Sequence, residues 1–228
     1  MFKIEGRKLV GEALLTGAAV HSVFALADWL EINGVSLNDK GIDVFEINAS
    51  ELRSISELDT PQDVIALVQI PEGEEANRLA PFALALEAIR DPGNLGTIIR
   101  LADWYGLSEV YCSHDCVDAY NPKTVQATMG SIFRVRPVYT DLASWAAEQQ
   151  MPVYAAMLDG GTSLYDFTFP EKSVLLIGNE SAGVSEEMAK IAAGLIFIPR
   201  FGGAESLNAA IAAGIFLDHW KQAAHKNQ

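Results

Sequence analysis

Val174-Leu-Leu-Ile-Gly-Asn-Glu-Ser-Ala-Gly-Val-Ser185 decides the fold. Its four leading apolar residues read as a buried strand that leaves at Gly178 through a tight glycine-containing turn. Ser185 then stands where a helix cap is needed. A strand, a turn and a helix in that order form the unit of a parallel α/β sheet. The unit recurs on both sides: from Pro81 onward, strands are predicted over residues 82–86, 109–112, 135–139, 153–157, 174–177 and 195–198, with helical segments between them. Ligands bind beyond the carboxyl ends of such strands, so chemistry is expected in the loops that begin at Glu87, Leu158, Gly178 and Pro199.

Toward the N-terminus the pattern changes. Leu9, Val10, Ala13 and Leu14 recur at helical spacing between Gly6 and Thr16, and Gly17 supplies a stop. Strands over 20–26, 43–47 and 64–70 and a short helix after Ser50 complete a small α/β unit, residues 1–71. Pro71-Glu-Gly-Glu-Glu-Ala-Asn77 carries three carboxylates and no apolar period, so 72–80 reads as a solvated linker and 81–228 as the second domain.

The 228 residues are 50% apolar, enough for a sizeable core, with a formal net charge of -14. Phosphate contacts normally come from Lys and Arg, so an RNA substrate requires Arg100, Arg134, Arg136 and Arg200 to gather on one face. The opening Met-Phe-Lys-Ile-Glu-Gly-Arg-Lys lacks a secretory apolar run, and no later stretch has membrane-spanning length, which together predict a cytoplasmic protein without a membrane partner. Two cysteines, Cys112 and Cys116, fit a reducing compartment. His114 between them invites zinc, but four ligands are needed and no second cluster follows, so no metal is expected.

Three loop segments hold unusual residues. Asp91-Pro-Gly-Asn-Leu-Gly-Thr-Ile-Ile-Arg100 enters a helix whose Leu95, Ile98, Ile99 and Ala102 make one apolar stripe, with Arg100 pointing away. A plain reading has Asp91 or Asn94 capping the helix and Arg100 pairing with Asp103. In the second segment Glu180 is either an ordinary solvated acid or a site residue; the segment is neither a phosphate-binding loop nor a hydrolase elbow, because no Gly-Lys-Ser/Thr ends it and Asn179 stands two before Ser181. Ile198-Pro-Arg-Phe-Gly-Gly-Ala-Glu-Ser-Leu-Asn208 leads into a final helix carrying Ile211, Ala212, Ile215, Phe216, Leu217 and Trp220, apolar nearly all round. Such a helix is covered on more than one side, either by a second core layer or by a subunit interface.

In this order and spacing, the three segments resemble the motifs of the SpoU/TrmH family of RNA ribose methyltransferases, of the SPOUT class. Asn121-Pro-Lys-Thr-Val-Gln-Ala-Thr-Met-Gly-Ser-Ile-Phe133 resembles the segment between its motifs, with Thr128 where serine is common; Leu101 replaces a frequent threonine. Phe2-Lys-Ile-Glu-Gly-Arg-Lys-Leu-Val10 and Thr60-Pro-Gln-Asp-Val64 resemble the family's small substrate-binding domain, with Asp63 at a usual glycine. The resemblance implies an α/β fold: a mainly parallel sheet with a C-terminal trefoil-knotted methyltransferase domain, preceded by a small α/β substrate-binding domain. It also implies a homodimer, S-adenosylmethionine as cofactor, and tRNA or rRNA as substrate. Mapped by motif, the catalytic set is Asn94, Arg100, Glu180, Ser206 and Asn208. The cofactor contacts are Met157, Leu158, Gly178, Asn179, Glu180, Ile198 and Leu207.

Methyl transfer to a ribose 2′-hydroxyl demands orientation above all, and a guanidinium does not deprotonate in proteins. Arg100 is therefore expected to clamp phosphate and stabilise developing alkoxide, not to act as base. Two other classes compete. A catalytically silent RNA-binding dimer of the same fold is argued against by the intact motif residues. A nicotinamide-dependent oxidoreductase is argued against by Gly93-Asn-Leu-Gly96, which lacks the Gly-x-Gly-x-x-Gly spacing.

Overall fold

The structure, a computed structural model, describes residues 1–38, 40–71 and 81–226. Its N-terminal part runs β1 (Phe2–Glu5), α1 (Arg7–Thr16), β2 (Val20–Ala25), α2 (Ala27–Asn38), β3 (Asp43–Glu46), α3 (Ala49–Ile55) and β4 (Val64–Val68). These strands form a sheet of order β1-β4-β2-β3, with β1 and β2 antiparallel to β4 and β3 parallel to β2. Helix α1 buries Leu9, Val10 and Ala13 and stops at Gly17, whose φ of 75° completes the left-handed cap. Two elements were not expected. β1 is four residues long, too short to show a period. In α2, Trp29 and Leu37 are buried while Ile32 is exposed, so the helix carries no clean apolar stripe.

The C-terminal part runs β5 (Phe82–Leu86), α4 (Pro92–Trp104), β6 (Glu109–Cys112), α5 (Pro122–Thr128), β7 (Arg136–Tyr139), α6 (Leu142–Gln149), β8 (Val153–Met157), β9 (Thr162–Ser163), β10 (Ser173–Ile177), α7 (Glu186–Ile191), β11 (Gly194–Phe197) and α8 (Ala209–Lys226). All its strand pairs are parallel, in the order β7-β6-β5-β10-β8-β11-β9. The six expected strands are present within a residue of their expected ends; the two-residue β9 is additional. β10 lies between β5 and β8, so the chain re-enters the middle of a sheet whose neighbouring strands were laid down earlier.

Alternation along the central strands divides the interior. Phe82, Leu84, Leu86, Leu175 and Ile177 face α4 and α8, whereas Ala83, Ala85, Val174 and Leu176 face Trp145 of α6 and Met188 of α7. Both strands are buried on both faces, which is why they read as continuous apolar runs. Helix α4 starts where Asp91 accepts a hydrogen bond from the Asn94 backbone at 2.8 Å, with Pro92 in its first turn. At Gly96 it crosses α5 so closely that a Cβ there would lie 2.5 Å from the Thr124 carbonyl oxygen and 2.5 Å from the Ala127 Cβ.

The two parts touch along one seam. Phe2 packs on Tyr120 at 4.9 Å between ring centres, Gln126 donates to the Glu5 carbonyl at 3.0 Å, and Arg134 reaches Glu12 at 2.8 Å. The segment 72–80, read as linker, lies outside the described residues. Helix α8 buries Ala213, Phe216 and Leu217 against its own domain, and Trp220 stacks on Phe82 at 4.0 Å. Ile211 and Ile215, on its other side, remain exposed, so this chain covers one side of that helix only. Among the described residues no helix is long and apolar enough to cross a membrane.

The α4–α5 crossing yields a stability prediction. Gly96→Ala gains helix propensity worth about 1 kcal/mol but overpacks a contact with backbone, at a cost of about 1–3 kcal/mol. Urea unfolding should therefore show the variant at or below wild-type stability despite the better helix former. A clear gain would show that the helices can separate freely.

Candidate active site

Parallel strands deliver their carboxyl ends to one edge of the sheet, and the three glycine-containing segments meet there. At the end of β10, Gly178 has no room for a side chain: a Cβ would lie 2.3 Å from the Gly183 carbonyl carbon. The following turn is closed by reciprocal backbone bonds between Asn179 and Gly183, with the Asn179 side-chain oxygen accepting from Ser181 and Ala182. Gly183 at φ 70° makes that closure possible.

The turn is tied to the loop after β5. Asn179 Nδ2 donates to the Ala88 carbonyl at 2.9 Å, and the Ala88 N–H donates to Ser113 Oγ at 2.9 Å. Ala88 sits at φ 56°, a conformation that is disfavoured for a residue with a Cβ and is held here from both sides. Glu87 accepts from the Ser185 backbone at 2.9 Å, so α7 and the β5 loop are pinned together as well.

Asn94 joins all three segments. Its Nδ2 donates to Glu180 Oε1, and its Oδ1 accepts from Asn208 Nδ2 at 2.7 Å. Asn208 Oδ1 in turn accepts from the backbone of Ala210 and Ile211, capping the first turn of α8. A side-chain amide carries a donor and an acceptor on separate atoms, so Asn94 can donate to a carboxylate and accept from a second amide at once.

Beside this network opens a cavity of about 480 Å³. Every residue expected to touch the cofactor lines it: Met157, Leu158, Gly178, Asn179, Glu180, Ile198 and Leu207. Of the expected catalytic set, Glu180 and Ser206 line it, and Asn94 and Asn208 are bonded alongside. The Ser206 hydroxyl has no hydrogen-bond partner among the described residues. Arg100 is not in the cavity wall; it is exposed on α4, six residues beyond Asn94. Its pairing with Asp103 does not form, because Asp103 accepts from Ser131 at 2.7 Å and from Arg134 at 2.9 Å. Burial opposes ionisation of Asp103, yet Arg134 and Ser131 hold its carboxyl below the ordinary value.

Sequence reading missed one bond and one residue. Asn179 was placed at the cofactor, but its bond to Ala88 was not foreseen; an asparagine opening a tight turn is the signal for its bonds within the turn, though not for this one. Ser113 carried no signal. The expected basic face is also revised: Arg134 is engaged by Glu12 and Asp103, and Arg136 by Glu109, so half of the four arginines are paired with carboxylates. Cys112 and Cys116 are free thiols, and Cys116 Sγ accepts from the Ile89 backbone at 3.3 Å, supporting the β5 loop. Among the described residues no group of three or more metal-binding side chains occurs.

Comparison with known proteins matches residues 81–218 to the profile of the SpoU rRNA Methylase family and residues 1–66 to the MRM3-like substrate binding domain. The 23S rRNA (guanosine(2553)-2'-O)-methyltransferase RlmP of Bacillus subtilis is 34% identical over 96% of this chain and 87% of its own length. A putative RNA methyltransferase of the TrmH family from Porphyromonas gingivalis superposes with a TM-score of 0.82 at 34% identity, over 97% of this chain and 89% of that one. An AdoMet-bound rRNA methyltransferase from Sinorhizobium meliloti gives 0.84 at 34% identity, over 96% and 85%.

Asn94→Asp tests the central amide, since it sets a second carboxylate against Glu180. Mutual repulsion raises the pair's folded pKa above the unfolded one, so the folded variant takes up a proton and regains stability as pH falls. The variant should be about 1–3 kcal/mol less stable than wild type at pH 7, with the deficit shrinking toward pH 5 in parallel urea titrations. A deficit constant over that range would show that the two side chains are not in contact.

Proposed function

Because this chain belongs to the SpoU rRNA methylase family, we propose that its catalysis runs through Asn94, Arg100, Glu180, Ser206 and Asn208, acting on ribosomal RNA. The activity itself is S-adenosylmethionine-dependent methylation of an RNA ribose 2′-hydroxyl. The observation that carries the residue assignment is the Asn94 amide, which locks Glu180 and Asn208 together at the rim of the cavity.

The cavity suits the cofactor on chemical grounds. Leu158, Ile198 and Leu207 offer apolar wall, Gly178 contributes backbone to it, and Asp159, Glu180 and Glu205 add negative charge suited to a sulfonium. When bound, the cofactor supplies a methyl carbon made electrophilic by positive sulfur. The remaining work belongs to the chain: hold the ribose oxygen in line, exclude water, and accept the changing charge. Orientation of this kind is worth about 7–11 kcal/mol, more than a single proton-transfer group contributes. Ser206, on the wall without a hydrogen-bond partner among the described residues, would bond an incoming ribose; Glu180 is bonded by Asn94. Arg100, exposed and without a carboxylate among the described residues, would serve phosphate and the developing alkoxide.

We assign the division of the chain to residues 1–71, a substrate-binding unit, and 81–228, the methyltransferase, joined by 72–80. The return of β10 into the middle of the sheet supports the trefoil threading of the family. The buried free thiols fit a reducing, cytoplasmic setting. A homodimer is supported by apolar surface on two adjoining helices: Trp104 of α4 is 83% exposed and Ile211 of α8 is 57% exposed, with Leu101 lying over Gly214 where the helices meet. Arg100 is one helical turn from Trp104, so a second copy seated there would enclose its guanidinium.

Two measurements test this reading. With ribosomal RNA from cells lacking the protein as substrate, Arg100→Ala should lower methyl incorporation about 100- to 1,000-fold while calorimetry finds cofactor affinity nearly unchanged. Equal loss of affinity would contradict the assignment. Ile215→Glu, which charges the exposed side of α8, should sediment as a monomer where wild type sediments as a dimer; identical sedimentation would remove that face from the interface.

A further inference from the structure

Of the five arginines among residues 81–226, Arg90, Arg134 and Arg136 are engaged by carboxylates. Only Arg100 and Arg200 have none within ion-pair distance among the described residues. In a chain with 30 acidic and 16 basic side chains, an arginine without a carboxylate partner is available to another anion. Arg200 lines the cavity, on the loop between β11 and α8. Its Nη1 donates to the Ala204 carbonyl at 3.3 Å, which draws the guanidinium back across its own loop and leaves the other N–H groups open.

Next to it, Phe201 is 87% exposed and also lines the cavity. Covering a phenyl ring so exposed is favourable, and a flat partner covers one of its faces completely. A planar base and its phosphate ask for this pair: RNA is recognised mostly through splayed bases stacked on aromatic rings, with phosphates taken by arginine. Stacking requires no particular base edge, whereas the guanidinium matches phosphate oxygens two at a time.

We propose that Arg200 and Phe201 form the target-nucleotide clamp of this enzyme, with Phe201 stacking the base of the nucleotide to be methylated and Arg200 binding an adjacent phosphate. The inference rests on the RNA methyl-transfer reading and adds residues outside the catalytic set. It places recognition of the nucleotide on the same loop that carries Ser206, so that stacking of the base fixes the distance of its ribose from the cavity.

The test uses the full-length protein, S-adenosylmethionine and ribosomal RNA isolated from cells lacking the protein. Phe201→Ala should raise the KM for RNA roughly 5- to 100-fold, the range of one lost stacking contact, with cofactor Kd unchanged. Phe201→Trp should restore KM and Phe201→Leu should not. Arg200→Ala should reduce the slope of log KM against log salt by about one, and Arg200→Lys should keep it. The proposal is overturned by an unchanged KM in Phe201→Ala, by equal rescue from leucine, by a cofactor Kd that rises with the KM, or by altered sedimentation showing that Phe201 is a contact between copies. A wild-type protein that transfers no methyl group to this RNA overturns the methyl-transfer reading itself and the clamp with it.

Discussion

One side-chain amide, that of Asn94, makes three loops from distant parts of the sequence into a single site. Its donor faces Glu180, 86 residues away, and its acceptor faces Asn208, 114 residues away. Each partner is itself committed: Asn208 caps α8 through two backbone bonds, and Glu180 belongs to a turn whose closure Asn179 enforces. Bonds shared among polar groups in a half-buried setting strengthen one another, and removing one member leaves the rest unpaired. The network therefore sets the positions of β10, β11 and α4 at their functional ends, where the parallel sheet alone would fix only spacing and direction.

Charge is distributed to the same end. In this chain of net charge -14, three of the five arginines among residues 81–226 are paired with carboxylates, as Arg134 is with Asp103 and Glu12. These pairs are partly exposed and contribute little stability individually, but they remove basic side chains from competition for phosphate. The two arginines without a carboxylate among the described residues, Arg100 and Arg200, lie on the exposed face of α4 and in the loop after β11. Acidic groups in the cavity wall, Asp159, Glu180 and Glu205, suit a cationic cofactor. An acidic protein can thus hold both a sulfonium and a polyanion, because the two are addressed by different side chains at adjoining places.

Much of this was legible in the sequence, for physical reasons that also mark its limits. A short apolar run such as Val174 to Ile177, closed by Gly178, reads as a strand buried on both faces, and the 3.6-residue stripe of Leu95, Ile98, Ile99 and Ala102 marks both the presence and the orientation of α4. The cavity-lining residues were reachable because the family resemblance maps its motif loops onto these strand ends. The bond from Asn179 to Ala88 was not, since a positive φ at an alanine has no signature in composition or period. Nor was the fate of Arg100. Its i+3 neighbour Asp103 is the natural helical partner, yet Ser131 and Arg134 arrive from 28 and 31 residues further along and take that carboxylate. Local rules lose there to a tertiary contact, and in losing they leave the motif arginine free.

Rigidity and exposure are divided between the two sides of the cavity. On the side of β5 and β10, Gly178 abuts Gly183 with no space for a methyl group, and Ala88 is held in a disfavoured conformation by bonds at both its N–H and its carbonyl. Such backbone persists only when its surroundings over-determine it, and a site that must hold reactants in line gains from that constraint. On the side of β11 the residues from 200 to 208 are all exposed. Apart from the Arg200 bond to Ala204 and the anchoring of Asn208, the hydrogen bonds found elsewhere in the site are absent there among the described residues. The turn after β10 is thus over-determined by its contacts, whereas the loop after β11 has few bonds among the described residues to hold it in one shape. The sequence encodes that asymmetry directly: two glycines locked by contact in one turn, and in the other two glycines, Gly202 and Gly203, with open space around them.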